Sequence, residues 1–183
     1  MKLASVIALV ALLGAGAVFG QAGSIGLFSD TYGTNCSLYD QIPGLVSVYA
    51  VHVSTSGATA CQFRVEDGPG MNMMWLSDTA WGIWIGCSHC PEGIAIPYGI
   101  CLSSPIHVLT MGYFAQAISQ DCSWIRVVPP ETLPSGQIEM YDCDSNILYP
   151  TGGTLIVNPT DDCQCDVPVD ESTWGKIKEM YRE

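Results

Sequence analysis

Residues 44–65, GLVSVYAVHVSTSGATACQFRV, constrain the fold most strongly. The first run, 44–53, is apolar at most positions, which is typical of a strand covered on both faces. Residues 54–57, STSG, form a turn sequence, because Gly adopts positive φ and Ser and Thr bond to nearby backbone. In the second run, the apolar residues are Cys61, Phe63 and Val65, and they alternate with polar residues. The stretch therefore predicts a β-hairpin at the centre of the domain.

Other short apolar runs predict further strands and are separated by turn residues every 8 to 15 positions. No helical period is visible before residue 170. We therefore expect an all-β fold, an antiparallel β-sandwich of immunoglobulin-like or jelly-roll-like type, stabilised by disulfides and carrying a short C-terminal α-helix. The expected strands are residues 24–28, 73–76, 81–85, 93–97, 106–114, 123–128, 136–141, 146–149 and 154–157.

The beginning of the chain predicts a secretory signal peptide over residues 1–22. Lys2 precedes an apolar run that reaches Phe19, and small residues follow it. A retained membrane anchor is the alternative, since the run is just long enough to span a bilayer. Its glycines favour cleavage. We therefore expect a secreted, periplasmic or cell-surface protein with no stable membrane span after cleavage.

Nine cysteines in an exported chain indicate disulfides. The odd count leaves one cysteine free or paired with another chain. Cys61 is our candidate for the free thiol, because strand alternation places it on an apolar face. The sequence leaves the pairing of the other eight open: Cys36, Cys87, Cys90, Cys101, Cys122, Cys143, Cys163 and Cys165.

The formal net charge of −12 argues against nucleic-acid binding, which depends on Lys and Arg, and against anionic membranes. An excess of acidic residues keeps a protein soluble, which is sufficient to explain the negative charge. The alternative, more specific explanation is that the acidic residues bind cations. Asp142, Asp144 and Asn146 alternate as the oxygen ligands of a Ca²⁺ loop do. Ile147 and Gly153 occupy the places where an EF-hand needs Gly and Glu, so a solvated turn is favoured over a calcium site here.

Residues 87–90, Cys-Ser-His-Cys, resemble the site of thiol–disulfide oxidoreductases. That site lies between a strand and a helix, whereas Pro91 and a strand-like run follow here. A structural Cys87–Cys90 disulfide that clamps a hairpin turn is therefore favoured over a redox enzyme.

Copper handling is a further alternative, because thioether clusters bind Cu(I). Met71, Met73 and Met74 precede Trp75, but no histidine is close in sequence. Ordinary core packing of these methionines is favoured.

A hydrolase lacks support in the sequence. No Gly-x-Ser-x-Gly motif is present, and no pair of carboxylates stands out. His52 and His107 each lie within an apolar strand and are expected to be structural.

The end of the chain predicts an attached amphipathic segment. Residues 23–158 form the expected β-sandwich domain, 159–171 a Cys- and Asp-rich linker, and 172–183 a short helix. In that helix Trp174, Ile177 and Tyr181 share one face. So short a helix is unstable alone and must dock, either on its own domain or, as an attachment tail, on another protein.

Several segments together resemble a group of uncharacterised exported bacterial proteins: the signal peptide, TSGATACQF, SGQIEMYDCDSN, CQC and STWGKIKEMYRE. The resemblance implies export, a disulfide-bonded β domain and a distinctive tail, and it carries no activity. The sequence therefore favours a non-enzymatic structural or binding module, part of a surface or extracellular assembly, whose partner is a protein or another extracellular ligand.

Overall fold

The structure is a computed structural model that describes residues 21–165. Its described part consists of strands and turns and has no helix. The strands, in chain order, are β1 (Ser24–Phe28), β2 (Ser37–Leu38), β3 (Gly44–Val53), β4 (Ala58–Asp67), β5 (Met73–Ala80), β6 (Ile85–Gly86), β7 (Ile94–Leu102), β8 (Ile106–Ala115), β9 (Ser123–Val128), β10 (Glu139–Tyr141), β11 (Ile147–Leu148), β12 (Thr151–Gly152) and β13 (Thr154–Val157).

Two sheets form the domain. The first has the order β12-β1-β3-β8-β5. The second has the order β11-β10-β4-β9-β13-β2, and β7 attaches to β4 and carries β6. All strand pairs are antiparallel except β1 with β12 and β13 with β2. The prediction of an all-β sandwich is confirmed, and its sheets are antiparallel apart from these two pairs. The finer assignment to an immunoglobulin-like or jelly-roll-like type stays a prediction.

The core lies between the sheets because each strand directs alternate side chains inward. The largest fully buried side chains of this core come from both sheets, and they include Tyr113, Phe63, Leu109, Met111, Ile125, Met140 and Leu155. Phe28 lies in a second, smaller cluster with Cys36 and Val51. Burial of this apolar area is the main favourable term in folding.

The predicted hairpin over residues 44–65 is wrong, although both of its strands form. β3 pairs with β1 and β8, whereas β4 pairs with β7, β9 and β10, so the two strands lie in different sheets. Ser54, at φ 57°, begins the crossing between the sheets. Gly57 is needed there because a Cβ would lie 2.6 Å from the Cys143 Sγ atom. Both edges of β3 are occupied by other strands, which leaves none for β4.

The predicted strand over residues 81–85 is also largely wrong. Only its last residue joins a strand, the two-residue β6. Gly82, at φ 71°, turns the chain away from the line of β5. The alternating apolar side chains of this segment therefore reach solvent instead of a core.

Four disulfides join eight of the nine cysteines: Cys36–Cys165, Cys87–Cys90, Cys101–Cys143 and Cys122–Cys163. Cys61 keeps its thiol and is buried. Two bridges tie residues 163 and 165 to the body of the sandwich. Residues 1–20 of the expected signal peptide lie outside the described residues, as do residues 166–183 with Trp174, Ile177 and Tyr181.

A buried polar cluster joins three connecting segments. The Asp40 carboxylate accepts hydrogen bonds from the Ser119 hydroxyl at 2.6 Å, from the Ser119 amide, and from the Asn158 side-chain amide at 2.7 Å. Asn158 also donates to the Ser119 carbonyl. Each residue of the cluster is almost completely buried, so these mutual bonds compensate for lost hydration.

Candidate binding surface

The chain from the end of β5 to the first residue of β6 forms an exposed apolar loop, residues 81–85 with the sequence Trp-Gly-Ile-Trp-Ile. Trp81, Ile83 and Ile85 are 74%, 80% and 74% exposed. A Cβ on Gly82 would meet no atom within 4 Å, so nothing packs against the loop at that position. Large apolar side chains clustered in this way on a surface are typical of a site of interaction.

A groove of about 280 Å³ lies beside the apolar loop. Trp81 forms part of its wall, and the remaining lining comes from β7, β8 and the turn between them. Because β7 and β8 belong to different sheets, the groove lies between the two sheets of the sandwich. Its lining is mainly apolar: Trp81, Ile96, Pro97, Tyr98, Leu102, Ser103, Pro105, Ile106, His107 and Val108.

Charge is nearly absent from this part of an acidic chain. Between Asp78 and Asp121, Glu92 is the one residue with a formal charge. Burial lowers the pKa of His107, so its imidazole is neutral at neutral pH. The apolar loop and its groove, which we call the apolar surface, are therefore uncharged.

A polar clasp closes the base of the apolar loop. The Asp78 carboxylate accepts hydrogen bonds from the Ser88 amide at 2.6 Å, from the Ser88 hydroxyl at 2.7 Å and from the Trp75 indole at 3.1 Å. Ser88 is completely buried. It also anchors β4, because its carbonyl accepts from the Val65 amide at 2.7 Å. The loop thus leaves and re-enters the domain at fixed points.

His89 extends this network across the interior of the sandwich. Its Nδ1 lies 2.8 Å from the Ser88 hydroxyl, and its Nε2 lies 2.9 Å from the Tyr113 hydroxyl. Tyr113 donates to Asp67 at 3.1 Å, and Trp75 stacks on the imidazole at 4.9 Å. Burial, with the nearby Asp67 charge, raises the pKa of Tyr113. Sequence reasoning missed Asp67, Asp78 and Tyr113, which only folding brings together.

The Cys87–Cys90 disulfide closes the connection between β6 and β7. These strands pair through Gly86 and Ile94, and the Gly93 amide donates to the Cys90 carbonyl at 2.8 Å. The segment between them is a turn, and no helix follows. A Ser–His pair is present at Ser88 and His89, but the buried hydroxyl of Ser88 cannot reach a substrate. The geometry favours a structural role for the motif.

The remaining histidines lie in separate environments. Nε2 of His52 lies 2.8 Å from the Ala22 carbonyl, and burial lowers the pKa of His52. His107 lies 2.9 Å from the Thr110 hydroxyl. These histidines serve local packing and hydrogen bonding.

The acidic turn at Asp142, Asp144 and Asn146 is closed by Asp142 itself. Its carboxylate accepts from the Asp144 and Asn146 amides and from the Asn146 side chain, at 2.8 to 2.9 Å. The Asn146 side chain is the main cause that lowers the pKa of Asp142. Within residues 21–165, no three His, Cys, Asp or Glu side chains converge as metal ligands would.

The methionines considered as copper ligands do not point toward a common site. Met73 is buried, whereas its neighbour Met74 is exposed on the opposite face of β5. Met71 packs against the edge of the main core. Strand alternation therefore separates the two neighbouring thioethers.

Two further features could receive a ligand. Leu45, Phe114 and Met74 are cross-strand neighbours and form an exposed apolar row on the first sheet. A cavity of about 340 Å³ lies near β1, β12 and β13 and includes Cys36 and Cys165. The described residues end at that cavity, so docking of residues 172–183 there or elsewhere stays a prediction.

The chain matches no protein-family model and no curated protein. It is similar in structure to a cohesin module from the family 33 glycoside hydrolase of Clostridium perfringens ATCC13124, with a TM-score of 0.50 and 7% sequence identity. The similarity covers 75% of this chain and 99% of that module. At this identity the comparison shows the fold, a cohesin-like β-sandwich. No helix in the described part of the chain is long and apolar enough to cross a bilayer.

Proposed function

We propose that this chain is a non-enzymatic binding module that works in an oxidising compartment outside the cytoplasm and docks a polypeptide partner through its apolar surface. The observation that carries the proposal is the position of three highly exposed apolar side chains beside an apolar groove in a chain of net charge −12. Protruding side chains and an adjacent concave site are features of interface anchors and the pockets that receive them.

Two other observations support the proposal. Four disulfides are typical of proteins that fold outside the reducing cytoplasm. The fold is shared with a cohesin module, one part of a larger protein. Since fold alone does not determine function, the apolar surface carries the argument.

Site-specific photo-crosslinking in the producing cells tests the proposal. A photoreactive side chain at position 83, in the apolar loop, is expected to give one discrete protein adduct that mass spectrometry identifies. The same side chain at position 45, which is also highly exposed, is the matched control. Absence of an adduct from position 83, or the same adducts from both positions, would contradict the proposal.

The alternative activity, thiol–disulfide exchange at Cys87 and Cys90, is tested by reduction potential. Structural disulfides have potentials below about −300 mV, whereas catalytic ones are more oxidising. We expect the Cys87–Cys90 pair to fall in the structural range. A value near that of the known oxidoreductases would favour the enzyme.

A weak calcium site at Asp142, Asp144 and Asn146 remains a second proposal. Ca²⁺ would have to replace the N–H groups that now bond to the Asp142 carboxylate. Millimolar Ca²⁺ should then raise the melting temperature of the parent protein and not that of Asp144→Ala. An equal response of the two proteins would exclude a site at this turn.

A further inference from the structure

We propose that the cavity beside β1 receives this chain's own residues 166–171, which follow Cys165 and pair in extended form with the open edge of β1. The cavity, of about 340 Å³, lies between β1 and β13. Leu27, Thr154 and the Cys36–Cys165 disulfide are part of its wall. The cavity is lined by residues other than those of the apolar surface, so this inference does not depend on the proposed function.

One edge of β1 is only partly covered. On one side β3 pairs with all five residues of β1. On the other side β12 pairs with Ser24 and Ile25 alone. No strand in the described part of the chain pairs with residues 26–28 on that side. Those residues line the cavity, so the cavity lies along an open strand edge.

The backbone of Leu27 faces this open edge. On the same edge the Ile25 carbonyl accepts from the Gly153 amide at 2.9 Å. Further along it, the Ser29 amide donates to the Asn35 carbonyl at 2.8 Å. Because backbone groups of successive strand residues point to opposite edges, the N–H and C=O of Leu27 lie between these two contacts. Neither group has a partner among residues 21–165, although Leu27 is completely buried. Buried backbone groups without partners are costly, so Leu27 requires a partner in the cavity.

A second unpartnered polar group belongs to the same cavity wall. The hydroxyl of Ser24 is buried and has no hydrogen-bond partner in the described part of the chain. Ser24 itself is 7% exposed and lines the cavity. An extended polypeptide offers N–H and C=O groups at regular intervals, and it can add to an open sheet edge as a further strand. The cavity therefore suits a polypeptide backbone.

The position of Cys165 selects the occupant. Cys165 lies in the cavity wall, and its disulfide with Cys36 fixes it there. It packs against the cluster of Phe28, so the chain that follows starts at the Phe28 end of the open edge. An extended residue spans about 3.3 Å, so Val167 can reach the position opposite Leu27. A segment tethered this closely has a high effective concentration, which favours it over a separate polypeptide.

The sequence of residues 166–171, Asp-Val-Pro-Val-Asp-Glu, suits an edge strand. In extended form Val167 and Val169 share one face, and Asp166 and Asp170 share the other. The carboxylates can then face solvent while the valines pack on the domain. Pro168 has no N–H, but its backbone points to the edge opposite that of Val167, where no partner is needed. The described residues of the cavity wall carry no charge that would repel the segment.

Hydrogen exchange of the Leu27 amide, measured by NMR in the exported form of the chain, tests the inference. We expect slow exchange in the parent, because the amide is hydrogen-bonded to the segment. Val167→Pro removes the N–H that bonds to the Leu27 carbonyl. It should speed exchange of the Leu27 amide at least about 10-fold, because the pair of bonds then opens more often. Asp170→Pro is the matched control, since that N–H points to the outer edge, and it should exchange like the parent.

Two truncated chains give a second measurement. A chain that ends at Glu171 keeps the segment and should exchange like the parent, whereas a chain that ends at Cys165 should exchange as fast as Val167→Pro. Circular dichroism verifies folding, and intact mass verifies the Cys36–Cys165 disulfide. Fast exchange of Leu27 in the parent overturns the inference. So does a rate that Val167→Pro and truncation at Cys165 leave unchanged, or equal acceleration by Val167→Pro and Asp170→Pro.

Discussion

Ser88 donates two hydrogen bonds to the carboxylate of Asp78, from its amide at 2.6 Å and from its hydroxyl at 2.7 Å. The two residues are ten positions apart and bracket the apolar loop. A charged acceptor with two short donors forms a stronger contact than a neutral pair. This partly buried polar contact thus anchors the base of the exposed apolar loop.

Asp78→Ala should lower the free energy of unfolding by about 1.5–3 kcal/mol, the usual loss for hydrogen bonds to a charged group. It should also speed hydrogen exchange at residues 81–86, because the loop loses its anchor. Denaturant unfolding and exchange mass spectrometry measure the two effects. Thr79→Ala, the exposed neighbour, is the control and should change stability by less than about 0.5 kcal/mol. Unchanged exchange in Asp78→Ala would show that the clasp does not order the loop.

Cys61 should be unreactive in the folded protein. Burial raises the pKa of its thiol to about 12, so the thiolate is essentially absent at neutral pH. A thiol reagent should therefore detect no thiol under native conditions and one per chain in guanidinium chloride. Cys61→Ala should show none in either state. More than one thiol in denatured parent protein would mean that fewer than four disulfides form.

Stability should fall when the pH drops below about 6.5, the ordinary pKa of histidine. Burial lowers the pKa of His52 in the folded state, so the unfolded chain binds the proton more readily. The contribution of His52 is complete above pH 6.5 and is lost as the pH falls toward its folded-state pKa. Chemical denaturation between pH 8 and 5 measures the slope, which should flatten in His52→Gln. An identical slope in the variant would assign the pH dependence to other groups.

Asp40→Ala should be among the most destabilising polar substitutions, with a loss of about 3–5 kcal/mol. The Ser119 hydroxyl and the Asn158 side chain would lose their buried acceptor. Thermal and denaturant unfolding measure the loss. Asp30→Ala is a suitable comparison, because the Asp30 carboxylate closes an exposed turn and should cost less. Equal losses would mean that burial of the Asp40 cluster adds nothing.

Local pattern predicted the strands well. The segments 24–28, 123–128 and 154–157 form β1, β9 and β13 with those bounds. Side-chain alternation depends on the strand geometry alone, so it is readable from the sequence. The same alternation placed Cys61 on an apolar face, and in the structure it is buried there.

Strand pairing could not be predicted from the sequence, because the strand edge to which a new strand hydrogen-bonds depends on residues far away in the chain. Residues 44–65 contain two strands and a turn, which is also the pattern of a hairpin. A hairpin does not form because β1 and β8 pair with the two edges of β3. The pairing of the eight bridged cysteines was open for the same reason.

The sequence by itself determined the all-β class, the positions of most strands, the acidity, and a disulfide-rich chain with one cysteine left over. These follow from local periodicity and from counting. The tertiary structure alone decided that residues 81–85 are an exposed loop, although their alternation is that of a strand. It also brought Asp78 to Ser88, and Tyr113 to His89. Whether an apolar side chain becomes core or surface depends on what packs against it, and that is set by contacts distant in sequence.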